Sequence, residues 1–91
     1  MKPGLNAKPR LAPGVRLNEN IQQQRMLLMP ERALRLNGPS LEIVRLCNGN
    51  HTVQQIAEKL HALYSKADPQ RITDDLLGYL ALLYDQRAID F

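Results

Sequence analysis

The sequence predicts an α+β domain in which three short β-strands are followed by three α-helices. Three observations carry this. Apolar and polar residues alternate with a period of two in short stretches between Val15 and Leu36. Two helix-start signals, Thr52-Val53-Gln54-Gln55 and Asp68-Pro69, head runs whose apolar residues recur every three or four positions. The chain has 91 residues, 44% of them hydrophobic, which suits one small domain whose core needs no disulfide or metal staple.

Residues 1–14 hold three prolines and two glycines without an apolar period and read as a flexible or extended arm, leaving 15–91 as the folded domain. The first strand is Val15-Arg16-Leu17-Asn18, and a polar loop from Glu19 to Gln24 leads to a second, Arg25–Met29. Pro30-Glu31-Arg32 makes a tight turn, because proline presets one turn dihedral and cannot donate to a ladder. In the third strand, Ala33–Leu36, the side chains of Leu34 and Leu36 face the core and Arg35 faces out.

Asn37 is the expected N-cap of the first helix, which buries Leu41, Val44 and either Ile43 or Cys47 and stops at Asn48-Gly49. Thr52 and Gln55 form a capping box for the second, with Val53, Ile56, Leu60, Leu63 and Tyr64 on one face. Asp68 caps the third, roughly 69–86, with Ile72, Leu76, Tyr79, Leu80 and Leu83 as its core stripe. Ile89 and Phe91 return apolar weight at the end. Strands followed by helices in this order give an α+β body with an antiparallel ribbon packed on a helical cluster, and a winged helix-turn-helix is the architecture expected of it.

Composition and spacing argue against catalysis and against cofactors. The single cysteine cannot form an internal bridge, and no hydrophobic signal segment or apolar run of ~20 residues is present. A soluble protein of the reducing cytoplasm, away from membranes, is expected. His51 and His61 lie ten positions apart with no ligand spacing around them; Cys47 and His51 alone do not make a metal site. Asp74 and Asp75 point about 100° apart on a helix and cannot work as a close carboxylate pair.

A winged helix raises the question of DNA binding, and the location of charge answers it. The net charge of +3 resides at the N-terminal end, where residues 1–16 carry Lys2, Lys8, Arg10 and Arg16 and no acid. Residues 17–91 carry eight Lys and Arg against nine Asp and Glu, a net of −1. The third helix offers Asp74, Asp75 and Asp85, which would repel phosphate. A DNA-binding regulator is therefore the alternative on architecture, and nucleic acid is not the expected partner.

A peptide fits better. A three-stranded sheet has open edges able to pair with an added strand. On the third helix Arg71, Asp75, Gly78 and Leu82 align, and a mid-helix glycine costs about 1 kcal/mol relative to alanine. Flanked by Tyr79 and Leu82, it leaves a notch for another backbone. Together with Ala33, Leu34, Arg35 and Leu36 these residues make the candidate peptide-binding groove. A plainer account stands beside it, Gly78 relieving helix packing with Leu82 as an isolated surface leucine; the opposite flank, Leu77 with Tyr84, is an alternative side for the site, its plainer account being secondary core.

The order and spacing of several segments resemble one family. They are Arg10-Leu11-Ala12-Pro13-Gly14-Val15-Arg16-Leu17, Leu28-Met29-Pro30-Glu31-Arg32 and Leu34-Arg35-Leu36-Asn37. They continue with Ile43-Val44-Arg45-Leu46-Cys47-Asn48-Gly49, Thr52-Val53-Gln54-Gln55-Ile56 and Asp75-Leu76-Leu77-Gly78-Tyr79-Leu80. From Pro9 to Ile89 the chain is similar to pyrroloquinoline quinone (PQQ) biosynthesis protein D, a recognition element for ribosomally made, modified peptides. Asn48 replaces the more usual Asp, Tyr79 the more usual Phe, and Gln22-Gln23-Gln24 is untypical of the first hairpin. The resemblance implies a winged helix that binds the PQQ precursor peptide and presents it to a radical S-adenosylmethionine enzyme, which cross-links a glutamate and a tyrosine. The leader of the precursor would add beside Ala33–Leu36 and lie against Arg71–Leu82. A homodimer is left open.

Overall fold

The computed structural model describes residues 4–21, 24–36 and 38–91. Its elements are β1 (Arg10–Leu11), β2 (Arg16–Ile21), β3 (Gln24–Met29), β4 (Arg32–Arg35), α1 (Pro39–Leu46), α2 (Val53–Leu63), α3 (Pro69–Asp85) and β5 (Ile89–Asp90). Strands β2, β3 and β4 form an antiparallel sheet in that order, and β1 pairs with β5 in a separate two-stranded ribbon. This is the expected sheet followed by three helices, with the ribbon added.

The sheet covers one side of the helical cluster through its inward residues. Leu27 of β3 is fully buried, Leu36 nearly so, and Leu17 and Leu34 pack half-buried beside them. The helices supply Leu41, Ile43, Val44, Val53, Ile56, Leu60, Leu76, Leu80 and Leu83 to the same core. Each such Leu or Ile contributes roughly 1.5–3 kcal/mol by leaving water. Ile43 and Cys47, taken as alternatives from the sequence, are both buried.

The helix starts follow the sequence with one correction. Thr52 and Gln55 form the reciprocal capping box: Thr52 Oγ1 accepts from the Gln55 amide at 3.1 Å, and the Thr52 amide donates to Gln55 Oε1 at 2.8 Å. Asp68 accepts from the Gln70 amide at 3.1 Å, and Pro69 follows it. In α1, however, the N-cap position is Gly38, not Asn37. Its φ of 55° lies in the left-handed region that glycine enters without a Cβ clash, so the chain can turn sharply from β4 into α1. Asn37 lies outside the described residues.

Other expectations shift. β2 extends to Ile21 with a register irregularity between Asn18 and Ile21, so the expected Glu19–Gln24 loop is largely strand; Gln22 and Gln23 lie outside the described residues. Leu63 follows the stripe spacing of α2 but is 59% exposed, because it is the last residue of the helix and no described residue closes over it; Ala57 is buried instead. At the C-terminus Ile89 is fully buried in β5, while Phe91 stays partly exposed, stacked on Tyr84.

Residues 4–14 turn at Leu5-Asn6 and at Pro13-Gly14 and pass the start of α2 between them. Their carbonyls meet the start of α2: the Val53 amide donates to Ala7 O at 2.9 Å and the Gln54 amide to Leu5 O at 3.0 Å. With Thr52 serving Gln55, the first three amides of α2 each have a partner, although helix starts leave such groups unpaired within the helix. The Gly49 amide donates to Pro9 O at 2.9 Å, Pro9 is fully buried, and β1 pairs Arg10 with Asp90 and Leu11 with Ile89. Removing residues 1–8 should therefore cost about 2 kcal/mol, roughly 1 kcal/mol for each of the two lost acceptors. A lower urea midpoint and faster amide exchange at Val53 and Gln54 would report it.

Candidate peptide-binding groove

Strand β4 is an outer strand, paired with β3 on one side alone among the described residues. Its register with β3 sets Met26 opposite Arg35, Leu27 opposite Leu34, Leu28 opposite Ala33 and Met29 opposite Arg32. The Leu36 amide donates to Arg25 O at 2.8 Å. In an antiparallel ladder the bonded residues alternate, so Leu36, Leu34 and Arg32 turn their backbone groups toward β3. Ala33 and Arg35 turn theirs outward. Both are exposed. Leu34 and Leu36 thus hold the strand on the core, and Ala33 and Arg35 present the hydrogen-bonding edge.

Two contacts fix how this edge lies against α3. Arg32 Nη2 reaches Gln86 O, at the C-cap of α3, at 3.5 Å. Ser40, at the start of α1, lies near enough to the Tyr79 hydroxyl to favour its ionised form. Arg32 thus lies near the end of α3 and Ser40 near Tyr79, about one and a half to two turns earlier on the same helix. At 3.6 residues per turn, Asp75, Tyr79, Leu82 and Gln86 fall within an arc of about 60° on that side. Arg71 and Gly78 lie further round toward solvent. Arg71 Nε and Asp75 Oδ2 are 3.9 Å apart, with both side chains highly exposed, an ion pair of little strength.

Gly78 is exposed, and a Cβ built on it would meet nothing within 4 Å. Relief of helix packing is therefore not the reason for a glycine here. Leu82, one turn further on, is 45% exposed. On the opposite flank Leu77 packs half-buried against the core, and the Tyr84 ring stacks with Phe91 at 5.3 Å between centroids. That flank is partly covered by the chain's own end.

The remaining candidate groups have structural employment. Burial pushes the Cys47 thiol up to about 12, so it stays a neutral thiol and lacks the thiolate that nucleophilic chemistry needs. His61 Nε2 lies 3.1 Å from Pro69 O and 3.2 Å from Thr73 Oγ1, tying α2 to α3. His51 Nδ1 lies 3.1 Å from Asn48 Oδ1. Among the described residues no group of three His, Cys, Asp or Glu could hold a metal ion. Half-burial raises the Tyr79 hydroxyl above its ordinary value, an effect that nearby Ser40 partly offsets. Sequence reasoning missed Arg32, Ser40 and Gln86, whose roles depend on contacts between distant segments.

The family described as coenzyme PQQ synthesis protein D (PqqD) matches residues 24–89. The chain belongs to the PqqD family. It is 39% identical over 83 residues to the bifunctional coenzyme PQQ synthesis protein C/D of Methylorubrum extorquens, covering 90% of this chain and 22% of that relative's length. It is 31% identical over 85 residues to the PqqA binding protein of Xanthomonas axonopodis pv. citri, covering 92% and 91%. The solution structure of the PqqD part of Methylobacterium extorquens PqqCD, described as a stand-alone recognition element for ribosomally synthesised and modified peptides, superposes with a TM-score of 0.72. It is 38% identical, covering 91% of this chain and 88% of that one. The heterocyclase TruD shares the fold at a TM-score of 0.58 and 22% identity, over 91% of this chain and 11% of that one. This PqqD-family chain accordingly has the winged-helix architecture of a peptide recognition element. No helix among the described residues is long and apolar enough to cross a membrane.

Two outcomes follow from the geometry. Gly78→Ala should raise stability by about 1 kcal/mol, the helix-propensity difference, since the added methyl meets open space; urea unfolding would show it. Native protein at pH 8 should resist alkylation at Cys47, and unfolded protein should react at once. Rapid labelling of the folded chain, read by mass spectrometry, would contradict the burial.

Proposed function

We propose that this chain is a non-catalytic peptide carrier of PQQ biosynthesis. It binds the PqqA precursor as an added strand on β4, against α3, and presents it to the radical S-adenosylmethionine enzyme of the pathway. The observation that carries this reading is the outward backbone of Ala33 and Arg35, which no described residue of the arm or tail pairs with, together with the open space at Gly78 on α3. The relatives in Xanthomonas are named for binding PqqA, which supports the ligand. In Methylorubrum the matching unit is part of a longer protein that also carries a C function, which supports action beside other enzymes of the pathway.

The groove suits an extended chain. Ala33 and Arg35 supply two donors and two acceptors, each bond netting about 1 kcal/mol. Tyr79 and Leu82 supply apolar surface worth ~25 cal/mol per Å² covered. Arg71 and Asp75 offer a cation and an anion at one end, in a pair weak enough to be exchanged for contacts with a guest. The exposed acids Asp74, Asp75 and Asp85 on α3 disfavour nucleic acid.

The test is a titration of isotope-labelled protein with synthetic PqqA, followed by NMR. Amides of Ala33, Arg35, Gly78, Tyr79 and Leu82 should shift. An unchanged spectrum would sink the proposal, and shifts confined to Leu77 and Tyr84 would move the site to the other flank. Arg35→Pro removes the outward donor without breaking the β3–β4 ladder, because that amide does not face β3. It should weaken PqqA binding about five- to tenfold, the loss of one bond of roughly 1 kcal/mol or slightly more. Gly78→Leu should block the notch and weaken binding further in a protein that keeps its fold.

A further inference from the structure

A cavity of about 210 Å³ opens between the three helices. Its floor is buried and apolar: Ile43 of α1, Leu60 of α2 and Leu76 of α3. Half-buried Tyr64 and Ile72 form walls. The rim is exposed and holds Pro39, Ala67 and the Arg71–Asp75 pair, which are the charged residues of the lining. Apolar surface lining an open hollow is stabilised when an apolar group covers it, so this one suits an occupant.

Its position names the occupant. Ile72 and Asp75 lie on the side of α3 that also carries Tyr79 and Leu82, and Pro39 follows β4 by four residues. The cavity thus continues the β4–α3 groove beyond its Tyr79 end. From Tyr79 back to Ile72 the helix covers about 10 Å at ~1.5 Å per residue. An extended chain spans that in about three residues at ~3.3 Å each.

We infer that this cavity receives one large aliphatic or aromatic side chain of the docked peptide, about three residues beyond the segment paired with β4. The inference rests on the docking reading above and adds to it the element that sets register. An engineered apolar cavity of about 150 Å³ holds benzene, so 210 Å³ admits a ring or a branched aliphatic group. The floor offers nothing to solvate a charge, so a charged or strongly polar side chain is excluded. Backbone pairing alone is indifferent to sequence, and a slip of one residue turns every side chain to the opposite face. A single anchored side chain removes that freedom and makes the site selective among extended peptides.

The experiment pairs peptide and protein variants. Synthetic PqqA peptides, each with one large apolar residue replaced by alanine, are titrated against unmodified protein and against Ala67→Leu. Ala67 stands on the rim outside the helices, so the added methyl groups cover the mouth without entering the core. One peptide replacement should cost about tenfold or more in affinity, the value of burying one such side chain. Ala67→Leu should cost a similar factor, and the weakened peptide should lose nothing further against it, the non-additive signature of a direct contact. Methyl signals of Ile43, Leu60 and Leu76 should shift in the complex. Ile72→Phe fills the cavity from its wall and should reproduce the pattern if Ala67→Leu loses its fold.

The failures are distinct. PqqA binding that responds to Arg35→Pro, with full affinity in both filled variants and unmoved cavity methyls, would overturn the anchor and leave docking intact. Losses that simply multiply would likewise overturn the anchor. No binding of PqqA to unmodified protein would overturn both readings.

Discussion

The constraint on which the structure turns is the outward half of the β4 backbone. A strand carries one donor and one acceptor per residue, and a neighbour on one side satisfies only alternate residues. In β4 the alternation assigns Leu34 and Leu36 to the sheet and the core, and Ala33 and Arg35 to whatever lies outside. Natural sheets usually shield such an edge with charge, proline or a covering segment. Here Arg32, at the start of the strand, reaches the C-cap of α3, and Ser40, beyond the end of the strand, lies near Tyr79 of the same helix. The edge is flanked without being filled.

The arm and tail bear directly on this. A chain of 91 residues with an N-terminal extension and an apolar C-terminal end has two segments able to cap its own sheet. Instead they pair with each other: β1 bonds β5, Pro9 is buried, and the arm carbonyls serve the amides that begin α2. Gly49, at φ 80°, lets the backbone turn where Arg10 passes 3.6 Å from the position its Cβ would take. The segments that could have closed the β4 edge are thus committed elsewhere by bonds of the same kind. An arm that merely trailed in solvent could compete for that edge.

Much of this was legible in the sequence because the signals are local. Thr52 with Gln55, and Asp68 with Pro69, mark helix starts by side-chain chemistry that acts within three residues. Leu34, Arg35 and Leu36 show their faces by alternation alone. The misses have a common physical cause. Gly38 displaces Asn37 as the cap of α1 because the turn out of β4 needs a positive φ, a demand set by where the sheet sits. Leu63 follows the stripe spacing of α2 yet reaches solvent, since periodicity cannot tell where the neighbouring elements end. The β1–β5 ribbon, two residues a side, is too short to leave a pattern. In the groove, Gly78 and Leu82 were readable as an alignment on one helix. The cavity over Ile43, Leu60 and Leu76 was not, because it belongs to three helices at once.

Under the proposed docking, the division between edge and cavity would let so small a domain choose its guest. Two outward residues can contribute only a few hydrogen bonds, each worth about 1 kcal/mol net and each available to any extended chain. A surface that stopped there would bind weakly and without preference. Selectivity has to come from side chains entering places that fit them, and the flank of α3 holds two: the open step at Gly78, where a bulky group on the helix would keep a backbone away, and the apolar hollow near Ile72. Both are costs to the isolated protein, one in helix propensity and one in packing. Under the proposed docking a peptide side chain would cover the hollow, while the cost of Gly78 would persist and leave room for a second backbone to approach.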